Sequence, residues 1–295
     1  MAQQKVRILS DATMDLPAEI VEELDIGILP TQIMIEDREK PYRNYIDITP
    51  EEFWEKLVKC KEIPTTSVPR QGDILKVYEE SLEKYESLIV FGHSSKISSS
   101  YFLAKRIAEE MFPGKDITVI DSRTITIMEG LLVYEAAIMA RNNATKEDII
   151  SHVNDLIPHT HGIAVLKSLD HLKKGGRINI AKYLIGSLAN FKPLIGVEDG
   201  LVQNIGTVRG YDNAIELIKK NIPNILNGRK TEFIAILHAL MPNEANELKE
   251  FINKQENAPK KCDVFLIGPV LGTHMGPYAV GLGWIGDWDT NWWKK

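Results

Sequence analysis

Residues 88 to 101 read Leu-Ile-Val-Phe-Gly-His-Ser-Ser-Lys-Ile-Ser-Ser-Ser-Tyr, and this stretch decides the fold class. Its first four residues are apolar without interruption, which is typical of a strand buried on both faces. From Tyr101 to Met111 the apolar residues recur at helical spacing. Strand, polar turn and helix in this order predict an α/β domain with a mostly parallel sheet. Ligands bind at the carboxyl ends of such strands, so the serines of the turn mark a candidate site.

Two interpretations of these serines remain open on the local sequence. Hydroxyls beside the free N–H groups and the positive dipole end of a helix suit a carboxylate or a phosphate. Ser98 would equally serve as the N-cap of the helix, a role in which serine is common. On this stretch alone, the capping interpretation is favoured.

The composition excludes several classes of protein. The chain has 295 residues, of which 44% are hydrophobic and 26% charged, so it is long enough for two globular domains. The formal net charge is −6 and no basic run occurs, so we expect no nucleic-acid partner. Cys60 and Cys262 lack metal or redox spacing and are expected to be reduced thiols. Residues 1 to 7 show no secretory signal, and the sequence predicts a cytoplasmic protein.

The alternation of strands and helices changes character near Pro158. We therefore predict an N-terminal α/β domain over residues 1–158 and a C-terminal α/β domain with a mixed sheet over residues 159–295. His159 and His161 follow this boundary without carboxylate or thiolate partners at ligand spacing. No metal site is predicted from them.

A second group of hydroxyls lies between two prolines in the first domain. Pro64 and Pro69 restrict the backbone around Thr65, Thr66 and Ser67. A stiff loop would hold these hydroxyls in fixed directions, as a hydrogen-bonding site requires. The alternative is that they bond to the backbone of their own turn, and the sequence does not decide between the two.

The second domain contributes two glycine-flanked turns with chemically useful side chains. Gly175-Gly176 precedes Arg177, whose planar cation suits an oxyanion, although a salt bridge is the alternative. Residues 272 to 276, Gly-Thr-His-Met-Gly, are predicted to form a turn that presents His274. That histidine would either orient a ligand or have a purely structural role.

Taken together, these motifs resemble the DegV family of bacterial fatty-acid-binding proteins. The resemblance covers nearly the whole chain, and it depends on six motifs that occur in the order found in the family. The six are Ser10-Asp11-Ala12-Thr13-Met14-Asp15-Leu16, Pro64-Thr65-Thr66-Ser67-Val68-Pro69, Ser94-Ser95-Lys96-Ile97-Ser98-Ser99-Ser100-Tyr101, Asp121-Ser122, Gly175-Gly176-Arg177-Ile178 and Gly272-Thr273-His274-Met275-Gly276-Pro277.

The resemblance implies two α/β domains with a ligand tunnel between them, which holds a long-chain fatty acid as ligand without a cofactor or a metal. Thr66 and Ser98 match the family's carboxylate-binding threonine and serine by position. Four further residues are expected near the carboxylate or facing a kinase, and these are Arg177, His274, Thr65 and Ser100.

The function implied by the resemblance is that of a carrier with no catalytic residues of its own. Such a protein is the lipid-binding subunit of a fatty acid kinase system. It shields the acyl chain and presents the carboxylate to a separate ATP-dependent fatty acid kinase. The resulting acyl phosphate enters phospholipid synthesis, and a transient contact with the membrane surface would supply the fatty acid.

Three segments depart from the pattern of the family. The usual Ser-Gly-Thr is Ser98-Ser99-Ser100 here, and serine suits the middle position only if its φ is negative. The opening Asp-Ser-Thr appears as Asp11-Ala12-Thr13. Residues 125 to 129, Ile-Thr-Ile-Met-Glu, replace the usual small residues, from which we expect a different acyl preference.

Two other classes of function remain as alternatives. The first is a serine-dependent hydrolase or phosphotransfer enzyme acting on a small carboxylate or ester. A nucleophile elbow needs glycine two residues either side of its serine, and Ser94 has Gly92 before it but Lys96 after it. His93 is adjacent, but the sequence shows no third group that orients it. The second alternative is a regulatory or interaction protein without bound lipid.

Overall fold

The computed structural model describes residues 4–174 and 190–293. The chain divides into two compact units, of which the first comprises Met1–Thr49 with Pro64–Pro158. The second comprises Pro50–Ile63 with His159–Lys295. The predicted boundary after residue 158 differs from this division in the segment Pro50–Ile63, which packs with the second unit.

The first unit is built on a four-stranded parallel sheet. Its strands are β1 (Gln4–Asp11), β2 (Gly27–Leu29), β6 (Tyr85–Gly92) and β7 (Asp116–Asp121), in the order β2-β1-β6-β7. Residues 88–91 of β6 are fully buried, as their apolar run predicts. Because the strands are parallel, the segments that follow β1, β6 and β7 begin at the same edge of the sheet.

A small antiparallel sheet completes the strands described for this unit. It contains β3 (Gln32–Met34), β4 (Tyr42–Arg43) and β5 (Thr65–Ser67), in the order β4-β3-β5. The sequence suggests one strand from Ile26 to Met34, but the chain leaves the first sheet at Leu29 and enters this one after Pro30. Proline has no N–H for the ladder, which explains the break. Thr65–Ser67, predicted as a loop, is a strand.

Five helices pack with these sheets, and their positions follow the predicted apolar patterns. They are α1 (Ala18–Glu23), α3 (Gln71–Leu82), α4 (Ser100–Met111), α5 (Ile127–Arg141) and α6 (Lys146–Leu156). Most of α5 is buried, as its apolar sequence predicts. Thr145 caps α6 by accepting the N–H of Asp148.

The second unit is built on a six-stranded mixed sheet. Its strands are β8 (Thr160–Leu166), β9 (Phe191–Glu198), β10 (Leu201–Arg209), β11 (Phe233–Ala239), β12 (Lys261–Leu266) and β13 (Ala279–Ile285), in the order β10-β9-β8-β13-β11-β12. The pair β11–β12 is parallel, and the other described pairs are antiparallel. Asp199 and Gly200 form the predicted hairpin between β9 and β10, and both have positive φ, as a tight hairpin turn requires. The expected mixed α/β sheet is therefore present.

Helices α7 (Asp170–Lys174), α8 (Tyr211–Asn227), α9 (Pro242–Asn253) and α10 (Pro269–Met275) belong to this unit. Its core combines the aliphatic faces of α8 and α9 with the sheet and with the buried rings of Trp284 and Trp293. Within the described ranges, no helix combines the length and apolarity needed to cross a bilayer.

Helix α2 (Pro50–Leu57) explains why the division departs from the predicted boundary. Its Phe53 and Trp54 are buried, and the indole N–H of Trp54 donates to the carbonyl oxygen of Ile267 at 2.7 Å. A Cβ atom at Gly272 would lie 2.6 Å from the ring of Phe53, so glycine permits this close approach of α10. The amphipathic pattern of α2 predicts a buried face, but not which part of the chain covers it.

Candidate functional site

The serine loop, residues 93–99, connects the buried end of β6 to α4. A Cβ atom at Gly92 would lie 3.0 Å from the Cα of Tyr101, so glycine lets the helix begin close to the strand. The N–H of Ser94 donates to the carbonyl oxygen of Thr124 at 2.8 Å, which ties the loop to the segment after β7. The N–H of Ser98 donates to the carbonyl oxygen of Ser94 at 3.1 Å. The loop is therefore held by backbone bonds at both ends.

Ser98 lies directly before Ser99, which is the N-cap of α4 and makes no side-chain capping bond, so Ser98 is not the N-cap that the local sequence favours. The Oγ of Ser98 accepts the N–H of Ser100 at 3.2 Å, and it lies 3.4 Å from the Oγ of Ser100, to which it donates. Accepting the N–H uses a lone pair of the hydroxyl oxygen, whereas binding a carboxylate uses the hydroxyl proton. Ser98 can therefore accept the Ser100 N–H and bind a carboxylate at once only if its hydroxyl proton turns away from the Oγ of Ser100.

The backbone at Ser99 accommodates the serine that replaces the family's glycine. Its φ is −89° and its ψ is 4°, well outside the left-handed region that favours glycine. The side chain is exposed. The replacement of glycine therefore introduces no backbone strain at this turn.

Thr66 lies at the centre of β5, where it pairs with Ile33 of β3. Its side chain is half-buried, whereas the side chains of Thr65 and Ser67 are exposed. Successive side chains of a strand point to opposite faces, so Thr66 faces away from both of its neighbours. The three hydroxyls of this segment therefore do not converge on one ligand atom.

His274 lies in the last turn of α10, so the predicted glycine-flanked turn is in fact a helix. The Oγ of Thr273 donates to the carbonyl oxygen of Pro269 at 2.9 Å, within that helix. Gly276 ends the helix at a φ of 73°, and a Cβ atom there would lie 2.6 Å from the ring of His171. The glycines of the motif thus serve helix packing and termination. Arg177 lies outside the described residues.

A buried polar cluster lies where β1 and β6 end in the first unit. We call it the Asp11 cluster, and its members are Asp11, Thr13, His93 and Glu129. Asp11 Oδ2 accepts the N–H of His93 at 3.0 Å and lies 2.5 Å from Nδ1 of its ring. Asp11 Oδ1 accepts the N–H of Thr13 at 2.9 Å and its hydroxyl at 2.5 Å. The exposed fraction of these residues ranges from 0% to 7%.

Glu129 enters the cluster because α5 begins unusually close to the segment after β1. A Cβ atom at Gly130 would lie 2.3 Å from the carbonyl oxygen of Met14, so a larger residue would push the helix away. Thr126 precedes the helix at a φ of 56°, an uncommon conformation for a β-branched residue. Its hydroxyl donates to Asp15 Oδ2 at 2.6 Å, which holds the helix start in place.

The hydroxyl of Thr13 determines how protons are shared in the cluster. It has one proton, yet it lies 2.5 Å from Asp11 Oδ1 and 3.1 Å from Glu129 Oε2. One of the two carboxyl groups must therefore supply a proton to the other bond. Burial, reinforced by the negative charge of Asp11, raises the pKa of Glu129 well above its usual value. Glu129 is thus the protonated group and donates to Thr13, which donates to Asp11.

Asp11 and His93 form an ion pair within this network. Burial alone would raise the pKa of Asp11, but the charge and hydrogen bonds of His93 outweigh it, and the pKa is lowered. Burial alone would lower the pKa of His93, but the facing carboxylate outweighs it, and the pKa is raised. The structure therefore corrects the inference that no third group orients His93, because Asp11 does so.

The sequence interpretation missed this cluster because its members come from three distant segments. Asp11 ends β1, His93 follows β6 and Glu129 lies in the first turn of α5. A usable signal was present, namely polar residues directly after neighbouring buried strands together with one acid in an apolar helix. Among the described residues, these three side chains also form the group of carboxylate and imidazole donors that is close enough to hold a metal ion.

Comparison with known proteins places the chain in a family. The protein-family sequence model described as "Uncharacterised protein, DegV family" matches residues 5–287 of this chain. The chain belongs to the DegV family. A DegV domain-containing protein of Caldanaerobacter subterraneus subsp. tengcongensis is 34% identical over 290 residues, which cover 95% of this chain and 98% of the relative.

Two solved DegV structures resemble the fold over nearly its whole length. One is described as a fatty-acid-binding DegV family protein from Thermus thermophilus, with a TM-score of 0.87 and 26% identity, covering 96% of this chain and 100% of that one. The other is described as DegV, a fatty acid binding protein from Bacillus subtilis, with a TM-score of 0.84 and 27% identity over the same shares of the two chains. The predicted family and α/β fold class are thereby confirmed.

Proposed function

We propose that this chain binds a long-chain fatty acid and that the hydroxyls of Thr66 and Ser98 bind its carboxylate. The observation that carries the proposal is the match to two DegV proteins described as fatty-acid-binding, each with a TM-score above 0.8. At the level of residues, Ser98 supports it, because its hydroxyl lies at the N-terminus of a 12-residue helix. The positive end of the helix dipole favours a carboxylate there.

The energetics of such a ligand fit a site with few polar groups. Removing each methylene of the acyl chain from water contributes about 0.8 kcal/mol, so a long chain binds tightly without any charge on its tail. The carboxylate then needs only enough donors to replace its lost hydration. Hydrogen bonds to a charged group contribute roughly 1.5–3 kcal/mol each, which makes two hydroxyls significant.

We further propose that the chain is a non-catalytic, cytoplasmic carrier that presents the carboxylate to a separate ATP-dependent kinase. The family resemblance of its motifs supports this role. In this scheme Arg177 and His274 lie near the carboxylate or the kinase, where a cation opposes the charge added by phosphorylation. The acyl phosphate feeds phospholipid synthesis, and brief contact with a membrane surface loads the carrier.

The first experiment identifies the ligand. Protein purified under native conditions is denatured and extracted with organic solvent, and the extract is analysed by mass spectrometry. We expect about one long-chain fatty acid per chain, and its length and unsaturation define the acyl preference. An extract without fatty acid, together with no uptake of added fatty acid by the delipidated protein, contradicts the proposal.

The second experiment tests the assigned hydroxyls. Thr66→Ala and Ser98→Ala are expected to weaken fatty-acid binding roughly 10- to 100-fold each, because each variant loses a hydrogen bond to a charged group. Ser67→Ala is the matched control, since Ser67 lies on the same strand but on its opposite face. It should bind like the wild type in a fluorescent fatty-acid titration. If all three variants bind the fatty acid with the affinity of the wild type, the carboxylate lies elsewhere.

One observation favours the alternative of a hydrolase, namely the pairing of His93 with Asp11 at 2.5 Å. A carboxylate that orients a histidine is what a serine hydrolase needs for its general base. The described hydrogen bond of Ser98, however, goes to Ser100 and not to this histidine. Ester hydrolysis by the purified chain that is lost in both His93→Ala and Ser98→Ala would establish the alternative.

A further inference from the structure

We propose that Asp11, His93 and Glu129 form a binding site for one divalent transition-metal ion, most closely matched by Zn²⁺. One donor atom from each of the three side chains lies within 4.8 Å of the other two. Zinc bonds to nitrogen and oxygen ligands are about 2.0–2.2 Å long, so an ion holds its ligands at most about twice that distance apart. The widest separation must therefore shrink by a few tenths of an ångström. The Asp11 Oδ2–His93 Nδ1 pair, which lies 2.5 Å apart as a hydrogen bond, must open, because two atoms bonded to one ion lie about 3 Å or more apart.

A divalent ion at this position keeps the cluster neutral in exchange for two protons. In the metal-free cluster His93 and Glu129 each hold one proton, and both protons are released when the ion binds. Asp11 and Glu129 supply two formal negative charges as ligands, and a neutral imidazole supplies none. A divalent cation makes the sum zero, which matters because the exposed fractions of Asp11 and Glu129 are 1% and 0%. Buried charges are tolerated when they are paired or coordinate a metal.

The surrounding hydrogen bonds orient the carboxylates as the outer partners of a metal site do. Asp11 Oδ1 accepts two bonds from Thr13, which leaves Oδ2 on the side of the imidazole. Glu129 Oε1 accepts the hydroxyl of Ser10 at 3.3 Å. Such outer partners fix the direction of ligand atoms, and their loss typically weakens metal binding 10- to 100-fold.

The chemistry of the donors selects the class of metal. An imidazole nitrogen is a poor ligand for Mg²⁺ and Ca²⁺, which prefer oxygen donors throughout. One nitrogen and two carboxylate oxygens suit Zn²⁺, and three protein ligands leave a further coordination position open. The ligands come from the ends of β1 and β6 and the start of α5, so the ion would tie together three elements of the first unit.

The test measures zinc in protein that has been refolded, because the ligand atoms are buried. The chain is unfolded in urea with a chelator, refolded with or without Zn²⁺, dialysed, and analysed by inductively coupled plasma mass spectrometry. We expect about one tightly bound zinc per wild-type chain. Glu129→Gln should bind zinc at least about tenfold more weakly. Glu135→Gln is the matched control, a half-buried acid on the same helix, and should retain the wild-type stoichiometry.

Equal zinc content in wild type and Glu129→Gln, or no zinc in the refolded wild type, overturns the proposal. Circular dichroism shows whether Glu129→Gln is folded. If it is not, Co²⁺ is added to the refolded wild-type protein and its visible spectrum is recorded. Cobalt bound by the three side chains gives intense bands, whereas solvated cobalt gives weak ones and contradicts the proposal. A thermal shift provides an independent readout. We expect Zn²⁺ but not Mg²⁺ to raise the melting temperature, and equal shifts contradict a site that contains imidazole.

Discussion

His93 is buried in the first unit and His161 is half-buried in the second, and their pKa values shift in opposite directions. Burial lowers the pKa of each, but the Asp11 carboxylate outweighs this effect at His93 and raises its pKa above the usual value. His161 instead packs against aromatic rings, with ring centroids 5.2 Å from Trp288 and 5.9 Å from Trp284. Burial, with a smaller contribution from His159, lowers its pKa to about 4.

This difference shows that a carboxylate partner outweighs burial, because His93 is the more deeply buried of the two and yet has the raised pKa. A facing carboxylate favours the protonated imidazole, whereas burial without such a partner favours the neutral one. The comparison also distinguishes His93, which a carboxylate orients, from His161, which packs against aromatic rings. The sequence predicts no metal site at His159 and His161, and the stacking of His161 on Trp288 agrees with a structural role.

The largest expected effect comes from removing the partner of His93. Asp11→Ala leaves a buried cation and two N–H groups unpaired, so we expect the free energy of unfolding to fall by about 3–5 kcal/mol. Urea denaturation at pH 7 measures it. The control is Glu250→Ala, which breaks an exposed pair with Lys254 and should change stability by less than about 0.5 kcal/mol. A loss below about 1 kcal/mol for Asp11→Ala would show that His93 carries no charge.

The second effect concerns pH and His161. Above pH 6.5 this histidine is neutral in both the folded and the unfolded chain, so it contributes no pH dependence. As pH falls from 6.5 to about 4, the unfolded chain binds a proton that the folded one does not, so stability is lost. The loss approaches about 3 kcal/mol.

Urea midpoints between pH 7 and 4 measure this loss. His161→Gln cannot titrate, so its stability should fall less steeply over this range than that of the wild type. His152→Gln also removes one histidine, from α6, and should keep the wild-type slope. If His161→Gln and the wild type have the same slope, aromatic burial does not hold His161 neutral.

The smallest effect is a gain in stability at Glu129 in metal-free protein. Its raised pKa means that the folded chain keeps a proton that the unfolded chain releases above pH 4.5, so wild-type stability falls as pH rises through this range. Glu129→Gln is neutral at every pH and avoids that loss. We expect it to be more stable than the wild type at pH 7 and equal to it near pH 4.

An exposed acid provides the control for this measurement. Glu110→Gln lies on the surface of α4 and should keep the wild-type dependence of stability on pH. Lower stability of Glu129→Gln at pH 7 would show that Glu129 is ionised in the fold. An ionised Glu129 would also have no proton to donate to the Thr13 hydroxyl, which would contradict the hydrogen-bond direction assigned to that pair.

The parts of the fold that follow from the sequence are those set by local pattern. The buried strand at residues 88–91, the hairpin at Asp199-Gly200 and the cap at Thr145 each depend on neighbouring residues. The association of α2 with the second unit could not be predicted, because its pattern does not identify the covering surface. The break at Pro30 was signalled by the proline, but the change of sheet was not.

The candidate site was predictable to a similar extent. Motif resemblance identifies Thr66 and Ser98 as the candidate carboxylate-binding residues. The Asp11 cluster could not be read from the chain, because Asp11 and Glu129 are far apart and meet only through strand order and the close approach at Gly130. Pairwise spacing in a sequence reveals ligand sets within one element, not sets assembled from three.

The position of α2 also has a consequence for the order of events during synthesis. Trp54 leaves the ribosome 213 positions ahead of Ile267, the residue whose carbonyl oxygen it binds. At a synthesis rate of roughly 5–20 residues per second, Ile267 is added about 10–40 s after Trp54. A nascent chain that has already folded its first sheet therefore still exposes the rings of Phe53 and Trp54, which are buried in the complete protein.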